Sequence, residues 1–322
     1  ETIKLWETAE TQMSLSLSSG MDSNIIKLFL DLSKSKYQGF HLNERKGFDT
    51  DQRNIKSIKL NYKEIKVLLN KLIKNSLTPF AFSHSSSTSL LQLYSHISNK
   101  NFKFTLNGEG ADEMFGGYSR YKKLLYLTKN KKMSLSDSYI NLYKKEIKCF
   151  NENLNYKYKN LNKKLKNKIK KINFSSKNIE NQLLEFDQLT WIPSLIQRHD
   201  IIGMAYGLEV RPPFLDHELV QKANSLPLGF KYNYSYNKIM LNKILQKNKR
   251  KIHYQSYKKL PTPTVFNEIL KDKNEIKELK EKLFYGKLSY IFNVEKIFKN
   301  FFDGETNHIF LWRLYILNKM IN

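Results

Sequence analysis

A single cysteine, Cys149, stands in a chain of 322 residues. It excludes internal disulfides and any metal site built from several thiolates, and it fits a reducing cytoplasm. No apolar run approaches the ~20 residues that cross a bilayer, so no membrane-spanning helix is expected. No signal-peptide pattern opens the chain. It starts at Glu1, which reads as a piece of a longer protein or a processed product. Internal repeats and Gly/Ser-rich linkers are also missing. Acids are scarce: 30 Asp and Glu face 55 Lys and Arg, a net charge of +25. Such a balance can mark a nucleic-acid or anionic-membrane binder. Here Lys far outnumbers Arg, whereas readout of bases and phosphates leans on Arg. Neither partner is expected, and a positive field serves equally an enzyme whose substrate is a polyphosphate.

What is present suffices for a packed core: 40% of the residues are hydrophobic, in a length that makes one large domain or two small ones. Residues 12 to 125 alternate strand and helix patterns. Strands are expected at Gln12–Leu17, Tyr37–Leu42, Lys56–Leu60 and Phe102–Leu106, and helices at Asn24–Leu32, Tyr62–Lys74 and Thr88–Ser98. The alternation predicts an α/β fold, a parallel sheet with flanking helices that binds ligands at the carboxyl ends of its strands. The link from Asn43 to Ile55 is short for a crossover helix. The expected division is an α/β part at about 11–125 and a large helical part at about 126–322. Within the latter, Lys157 to Lys171 holds eight lysines, with Leu154, Leu161, Leu165, Ile169 and Ile172 on roughly one face. This reads as a basic amphipathic helix lying on the body of the protein. Residues 181 to 225 read as buried helix interrupted by Pro193 and by Arg211-Pro212-Pro213, and further helices are expected near Asn237–Gln246 and His308–Ile321.

Two loops carry the chemistry. The first is Leu17-Ser18-Ser19-Gly20-Met21-Asp22-Ser23, between a strand and a helix. The free N–H groups of such a helix start, at the positive end of its dipole, form a seat for phosphate. Gly20 permits close approach, and the hydroxyls of Ser18, Ser19 and Ser23 offer donors. Asp22 would repel a bare phosphate, but not one bridged by Mg²⁺. The Gly-Lys-Ser/Thr of a Walker A loop is absent. The second loop, Asn107-Gly108-Glu109-Gly110-Ala111-Asp112-Glu113-Met114-Phe115-Gly116-Gly117-Tyr118, again follows a strand. Three acids in five positions repel one another unless a cation or a pKa shift relieves them, which points to a site.

The first loop resembles the Ser-Gly-Gly-x-Asp-Ser loop of the ATP pyrophosphatases, with Ser19 at a glycine position. The second is similar to the Ser-Gly-Glu-Gly-x-Asp-Glu-x-Phe-Gly-Gly-Tyr motif of asparagine synthetases, with Asn107 at the serine position. Asp200 to Asp216 resembles the same family's Asp-Arg-x-Ser-Met-Ala-x-Gly-x-Glu-x-Arg-x-Pro-Phe-Leu-Asp, with Ile201 for Arg and Gly203 for Ser. Asn237-Lys238-Ile239-Met240-Leu241 and Tyr257-Lys258-Lys259-Leu260-Pro261-Thr262-Pro263 resemble two later motifs, in family order.

The resemblance implies the synthetase domain of an asparagine synthase, an adenine nucleotide alpha hydrolase-like fold acting as a carbon–nitrogen ligase. ATP would place its triphosphate on Ser18 to Ser23, and its adenine along Leu17, Leu42, Asn107 and Gly108. Asp22 and Asp112 would hold Mg²⁺. A carboxylate, aspartate first, would attack the α-phosphorus to give an acyl-adenylate, which ammonia converts to an amide. Lys238 would stabilise charge at the α-phosphate, Glu109 would orient or deprotonate ammonia, and Glu113 would support them. Asp200, Glu209, Arg211 and Asp216 would form a buried ion-pair network beneath the site. The glutaminase domain with which such enzymes begin is not matched, since Cys149 is mid-chain, so ammonia would come from a domain or subunit elsewhere. The arginine that such synthetases place before the acidic loop is missing from Thr78 to Ser87, where His84, or a lysine elsewhere, would take its place. That gap keeps open relatives that amidate other carboxylates or close lactams. The departures at Ser19, Asn107 and Gly203 keep open a non-catalytic nucleotide binder. An RNA-modifying ATP pyrophosphatase would share the first loop and would hold tRNA through the basic helix.

Overall fold

A computed structural model of the chain describes residues 1–43, 54–75, 82, 84–155, 160–248, 265–304 and 308–321. The chain forms two compact units. One comprises Glu1–Asn61, Ser89–Leu125 and Phe174–Thr262, the other Tyr62–Thr88, Tyr126–Asn173 and Pro263–Asn322.

The first unit is built on five parallel strands: β1 (Met13–Leu17), β2 (Tyr37–Asn43), β3 (Ile55–Lys59), β4 (Phe104–Leu106) and β5 (Glu209–Arg211). Their order is β3-β2-β1-β4-β5, so β1 is central. Leu17 pairs with His41, and Leu15 with Leu106, which in turn pairs with Arg211. A central parallel strand is covered on both faces, so even its small polar residues must find partners. Ser14 is fully buried and donates to the Phe104 carbonyl at 2.7 Å. The helices of this unit that bear on the site are α1 (Met21–Leu32), α2 (Thr88–Ser98), α3 (Ala111–Phe115), α4 (Ile179–Thr190), α5 (Ile192–Met204), α6 (His217–Ser225) and α7 (Ile239–Lys247). Leu15, Leu17, Ile25, Leu28, Phe104, Leu106, Met114, Phe115, Phe214 and Leu241 meet in one core.

The parallel sheet and its four expected strands are present, with ends moved by one or two residues. The fifth strand lies where the sequence pattern suggests buried helix. Three residues followed by two prolines give no periodicity to read, and β5 is fixed by pairing with β4 rather than by its own pattern. The helix is interrupted next to Pro193, as expected. α4 ends at Thr190, and Pro193 lies in the first turn of α5, where its missing N–H costs nothing.

The second unit is helical. Trp312, in the helix His308–Ile321, is fully buried and its indole N–H donates to the Phe82 carbonyl at 2.7 Å. Val294, Ile297 and Phe298 form the buried stripe of the helix Val294–Phe302. The basic helix spans Leu161–Lys170, with Leu165 and Ile169 half-buried and Lys163, Lys164, Lys168 and Lys170 exposed. Leu154 does not join its apolar face. It follows the preceding helix, Lys144–Asn153, and forms an isolated bridge with Phe292. No described helix is long and apolar enough to cross a membrane.

Candidate active site

The site lies at the carboxyl ends of β1 and β4, within the first unit. Parallel pairing brings both loops to the same edge of the sheet, and glycine lets them touch. A Cβ on Gly108 would lie 2.7 Å from Asp22 Cβ and 2.8 Å from Ser23 N, so no side chain fits between the loops. Gly117 is pressed in the same way: a Cβ there would overlap Asp112 Oδ1 and Lys238 Cε. This explains two of the acidic loop's glycines as close approaches of backbone to the site.

In the first loop Gly20 caps α1 with extended backbone, and no side chain caps the helix. Ser23 is buried, and its hydroxyl donates to the Ser18 carbonyl at 3.2 Å, accepts from Ser18 N–H at 3.0 Å and lies 3.1 Å from Ser18 Oγ. These two serines therefore shape the turn. Asn24 completes the turn, donating to the carbonyls of Ser18 at 2.9 Å and Gly20 at 2.7 Å. Ser19 is exposed, and nothing in the structure explains its place at a glycine position. Leu17 and Leu42 are buried at the ends of β1 and β2, where His41 donates from Nδ1 to the Leu17 carbonyl at 3.1 Å.

Asp22 and Asp112 face a common cation. Lys238 Nζ lies 2.5 Å from Asp22 Oδ1 and forms an equally close pair with Asp112 Oδ1. The Lys238 side chain is only 4% exposed. Burial alone would pull its ammonium down, but the Asp112 and Asp22 charges outweigh that and hold it above the ordinary lysine range. Lys238 precedes α7 with a left-handed backbone, φ +46°. In a residue other than glycine such backbone costs on the order of 1–3 kcal/mol and persists only where the surroundings over-determine it. Here the ammonium's two carboxylates and the Lys238 N–H to Phe115 carbonyl bond, 3.2 Å, do so.

Glu113 is fully buried and accepts from the Tyr118 hydroxyl. Burial, with the nearby Asp112 charge, pushes its carboxyl up to about 8. Tyr118 is stacked under the Arg120 guanidinium, 3.8 Å away, which pairs with buried Asp187 at 2.7 Å. Tyr121 donates to the same Asp187 oxygen at 2.5 Å, so α4 is tied to the acidic loop's far end. The raised carboxyl has a consequence for stability. The unfolded chain releases this proton near the ordinary Glu value of roughly 4.3, and the folded chain near 8, so folding weakens as pH rises between them. Glu113→Gln, which keeps the acceptor for Tyr118, is expected to gain Tm over the wild type progressively from about pH 5 to pH 8 and no further above it. Parallel Tm curves in calorimetry would show that Glu113 ionises as freely folded as unfolded.

Glu109 is held by residues that the motifs do not point to. Arg198 Nη2 donates to its Oε1 at 2.7 Å, and His199 Nε2 lies 2.9 Å from the same oxygen. Both come from α5, one turn before Ile202 and Gly203. An arginine thus does stand against the acidic loop, reached through the fold from a position some ninety residues along the chain. His84 belongs to the second unit. Asn107 accepts the Glu109 N–H at 3.2 Å through Oδ1. Gly203 departs from serine for a structural reason: a Cβ there would lie 2.5 Å from the Leu208 carbonyl oxygen.

The expected buried ion-pair network is not formed. Asp200 and Glu209 are exposed. Arg211 pairs with Glu209 at 2.9 Å and donates to the Trp6 and Thr8 carbonyls. Asp216 separately caps α6 and accepts from the Trp6 indole at 3.1 Å. These residues close the fold around the N-terminal segment. The Tyr257 to Pro263 motif lies outside the described residues.

Comparison with known proteins fits this arrangement. The sequence profile of the family described as asparagine synthase matches residues 7–289. Asparagine synthetase [glutamine-hydrolyzing] 3 of Bacillus subtilis is 29% identical over 158 residues, covering 46% of this chain and 24% of that protein. Asparagine synthetase [glutamine-hydrolyzing] 1 of the same organism is 28% identical over 218 residues, 56% of this chain and 33% of that protein. A putative asparagine synthetase [glutamine-hydrolyzing] 1 of Methanocaldococcus jannaschii is 29% identical over 133 residues, 40% and 15% of the two chains. The alignments thus span a third or less of each of these relatives. With a profile match over most of its length and both site loops of the motif set brought together at one edge of a parallel sheet, the chain belongs to the asparagine synthase family.

Proposed function

We propose that this chain catalyses the ATP-dependent amidation of a carboxylate, with aspartate as the first acceptor to consider and asparagine as its product. The observation that carries the reading is the shared seat of Asp22, Asp112 and Lys238 where the two loops touch at Gly108. A strand-to-helix turn without a side-chain cap supplies N–H donors for phosphates beside it. In the first step a substrate carboxylate oxygen attacks the α-phosphorus, and pyrophosphate leaves. Lys238 supplies positive charge for the α-phosphate. In the second step ammonia attacks the acyl carbon, its proton passes to Glu109, and AMP leaves.

Two carboxylates converging on one cation suit Mg²⁺, which takes one or two carboxylates and completes its shell with phosphates and water. Asp22 and Asp112 would hold it, and when bound it would neutralise charge on the departing pyrophosphate. Among the described residues no cluster of three or more His, Cys, Asp or Glu offers a metal site made by protein alone. Nitrogen would reach this chain as ammonia, released by a glutaminase domain or subunit that the described residues do not include.

The test is product analysis with the purified chain, ATP, Mg²⁺ and ammonium, with and without aspartate. Equal amounts of AMP, pyrophosphate and asparagine, formed only with aspartate, are the expected result. AMP and pyrophosphate with another carboxylate would keep the reaction and replace the acceptor. ADP and phosphate as products would refute the chemistry.

A further inference from the structure

A buried hydrogen-bonded chain reaches Glu109 from behind. The Tyr94 hydroxyl, on α2, lies 2.5 Å from Nδ1 of His199 on α5, and Nε2 of that ring lies 2.9 Å from Glu109 Oε1. Both Tyr94 and His199 are buried. Asn107 sets the direction of this chain. Its Oδ1 accepts the Glu109 N–H, so its Nδ2 faces the imidazole, 3.4 Å from Nδ1. Nδ1 therefore meets two donors, the Asn107 amide and the Tyr94 hydroxyl. Nε2 meets the Glu109 carboxylate oxygen and, at 3.0 Å, Nη2 of Arg198, which donates to that same oxygen. The neutral tautomer with its proton on Nε2 donates to Glu109 and accepts at Nδ1 from Asn107 and Tyr94, whereas the opposite tautomer would set a bare Nε2 against the Glu109 carboxylate and turn an N–H toward the Asn107 amide. Burial, against the pull of Glu109, lowers the His199 pKa from its ordinary value and so favours the neutral ring.

We propose that His199, held in the Nε2–H tautomer by Tyr94, is a positioning residue that fixes the Glu109 carboxylate for proton acceptance in the amide-forming step. This inference rests on the function proposed above. As the carbon–nitrogen bond forms, the proton of the attacking nitrogen passes to a Glu109 oxygen, and the imidazole keeps its own proton throughout. Arg198 holds the same Glu109 oxygen from a second direction, so the carboxylate is fixed by two donors. None of these three partners was legible as a motif.

The experiment measures the two half-reactions separately. Aspartate-dependent exchange of labelled pyrophosphate into ATP, without ammonium, reports adenylate formation. Asparagine formation reports the complete reaction. His199→Leu is expected to lower the kcat of asparagine formation by ~100-fold, the size of effect that a small misplacement of a reacting group produces, and to leave exchange and the KM for ATP within about twofold. His199→Gln, whose amide N–H can stand in for Nε2–H, should recover most of that loss. Tyr94→Phe should lower asparagine formation by ~10-fold by freeing the tautomer. An equal fall in both half-reactions, unchanged asparagine formation in His199→Leu, or a His199→Gln variant no better than His199→Leu would each overturn the proposal. Wild-type protein without carboxylate-dependent exchange would instead refute the function on which it rests. Nitrogen NMR of the full chain labelled at histidine reads the tautomer independently of turnover: Nε2–H at His199 is expected, and Nδ1–H would overturn the geometry.

Discussion

Lys238→Met is expected to abolish pyrophosphate release and to cost on the order of 3 kcal/mol of stability. The lysine's ammonium is the countercharge for two carboxylates, and it is almost wholly removed from water. Met fills a similar volume but leaves Asp22 and Asp112 facing each other. Removing one partner of a buried ionic cluster costs more than the cluster contributes, because the remaining charges stay desolvated and unpaired. Asp22 retains one fifth of its side-chain exposure, which keeps the estimate at the lower end of that range. A pyrophosphate assay checks the first part, and urea unfolding with and without Mg²⁺ checks the second. The variant should be less stable without the metal and should gain more from it than the wild type does, since a cation on the two carboxylates replaces the missing ammonium. An unchanged unfolding midpoint would mean that the pair is not formed in solution.

Glu109→Gln is expected to separate the two halves of the reaction. Glutamine keeps the shape of the side chain and an oxygen for Arg198 and His199, and removes the base. General-base contributions run at roughly 10²–10⁴-fold, so asparagine formation should fall by about that factor. Adenylate formation needs no proton acceptor at Glu109 and should stay within a few-fold of the wild type. Measured side by side, the loss belongs to kcat of the complete reaction and not to exchange. If both fall together, Glu109 serves binding or folding rather than proton transfer.

How far the sequence reaches depends on whether a feature is local. The turn after β1 and the acidic loop after β4 are written in seven and twelve consecutive residues, and both fall at strand ends as their patterns indicate. Crowded acids could be recognised as needing a cation, and the cation is Lys238. That lysine was identifiable only from its neighbours Asn237 and Leu241, because nothing in a lysine-rich chain distinguishes one lysine by itself. Tyr94 carries no local signal, and Arg198 and His199 almost none. His199 meets Glu109 across a separation of 90 residues and Tyr94 across 105, and in their helices they sit among ordinary core and surface positions. The one signal available was the placement of Arg198 and His199 directly before the Asp200 motif. The ion-pair network read into Asp200, Glu209, Arg211 and Asp216 failed for a related reason. Charges close in sequence at the end of α5 and in β5 point to different faces once β5 joins the sheet, and Arg211 turns to the Trp6 and Thr8 carbonyls. β5 itself is specified by β4, not by its own three residues.

The most direct test of the central claim follows one oxygen atom. If the carboxylate attacks the α-phosphorus, an oxygen of that carboxylate must end on AMP when the amide forms. Aspartate labelled with oxygen-18 in its side-chain carboxylate, incubated with the chain, ATP, Mg²⁺ and ammonium, is predicted to give AMP carrying one labelled oxygen, together with asparagine retaining one. Unlabelled AMP, or ADP in its place, would contradict an acyl-adenylate in this site.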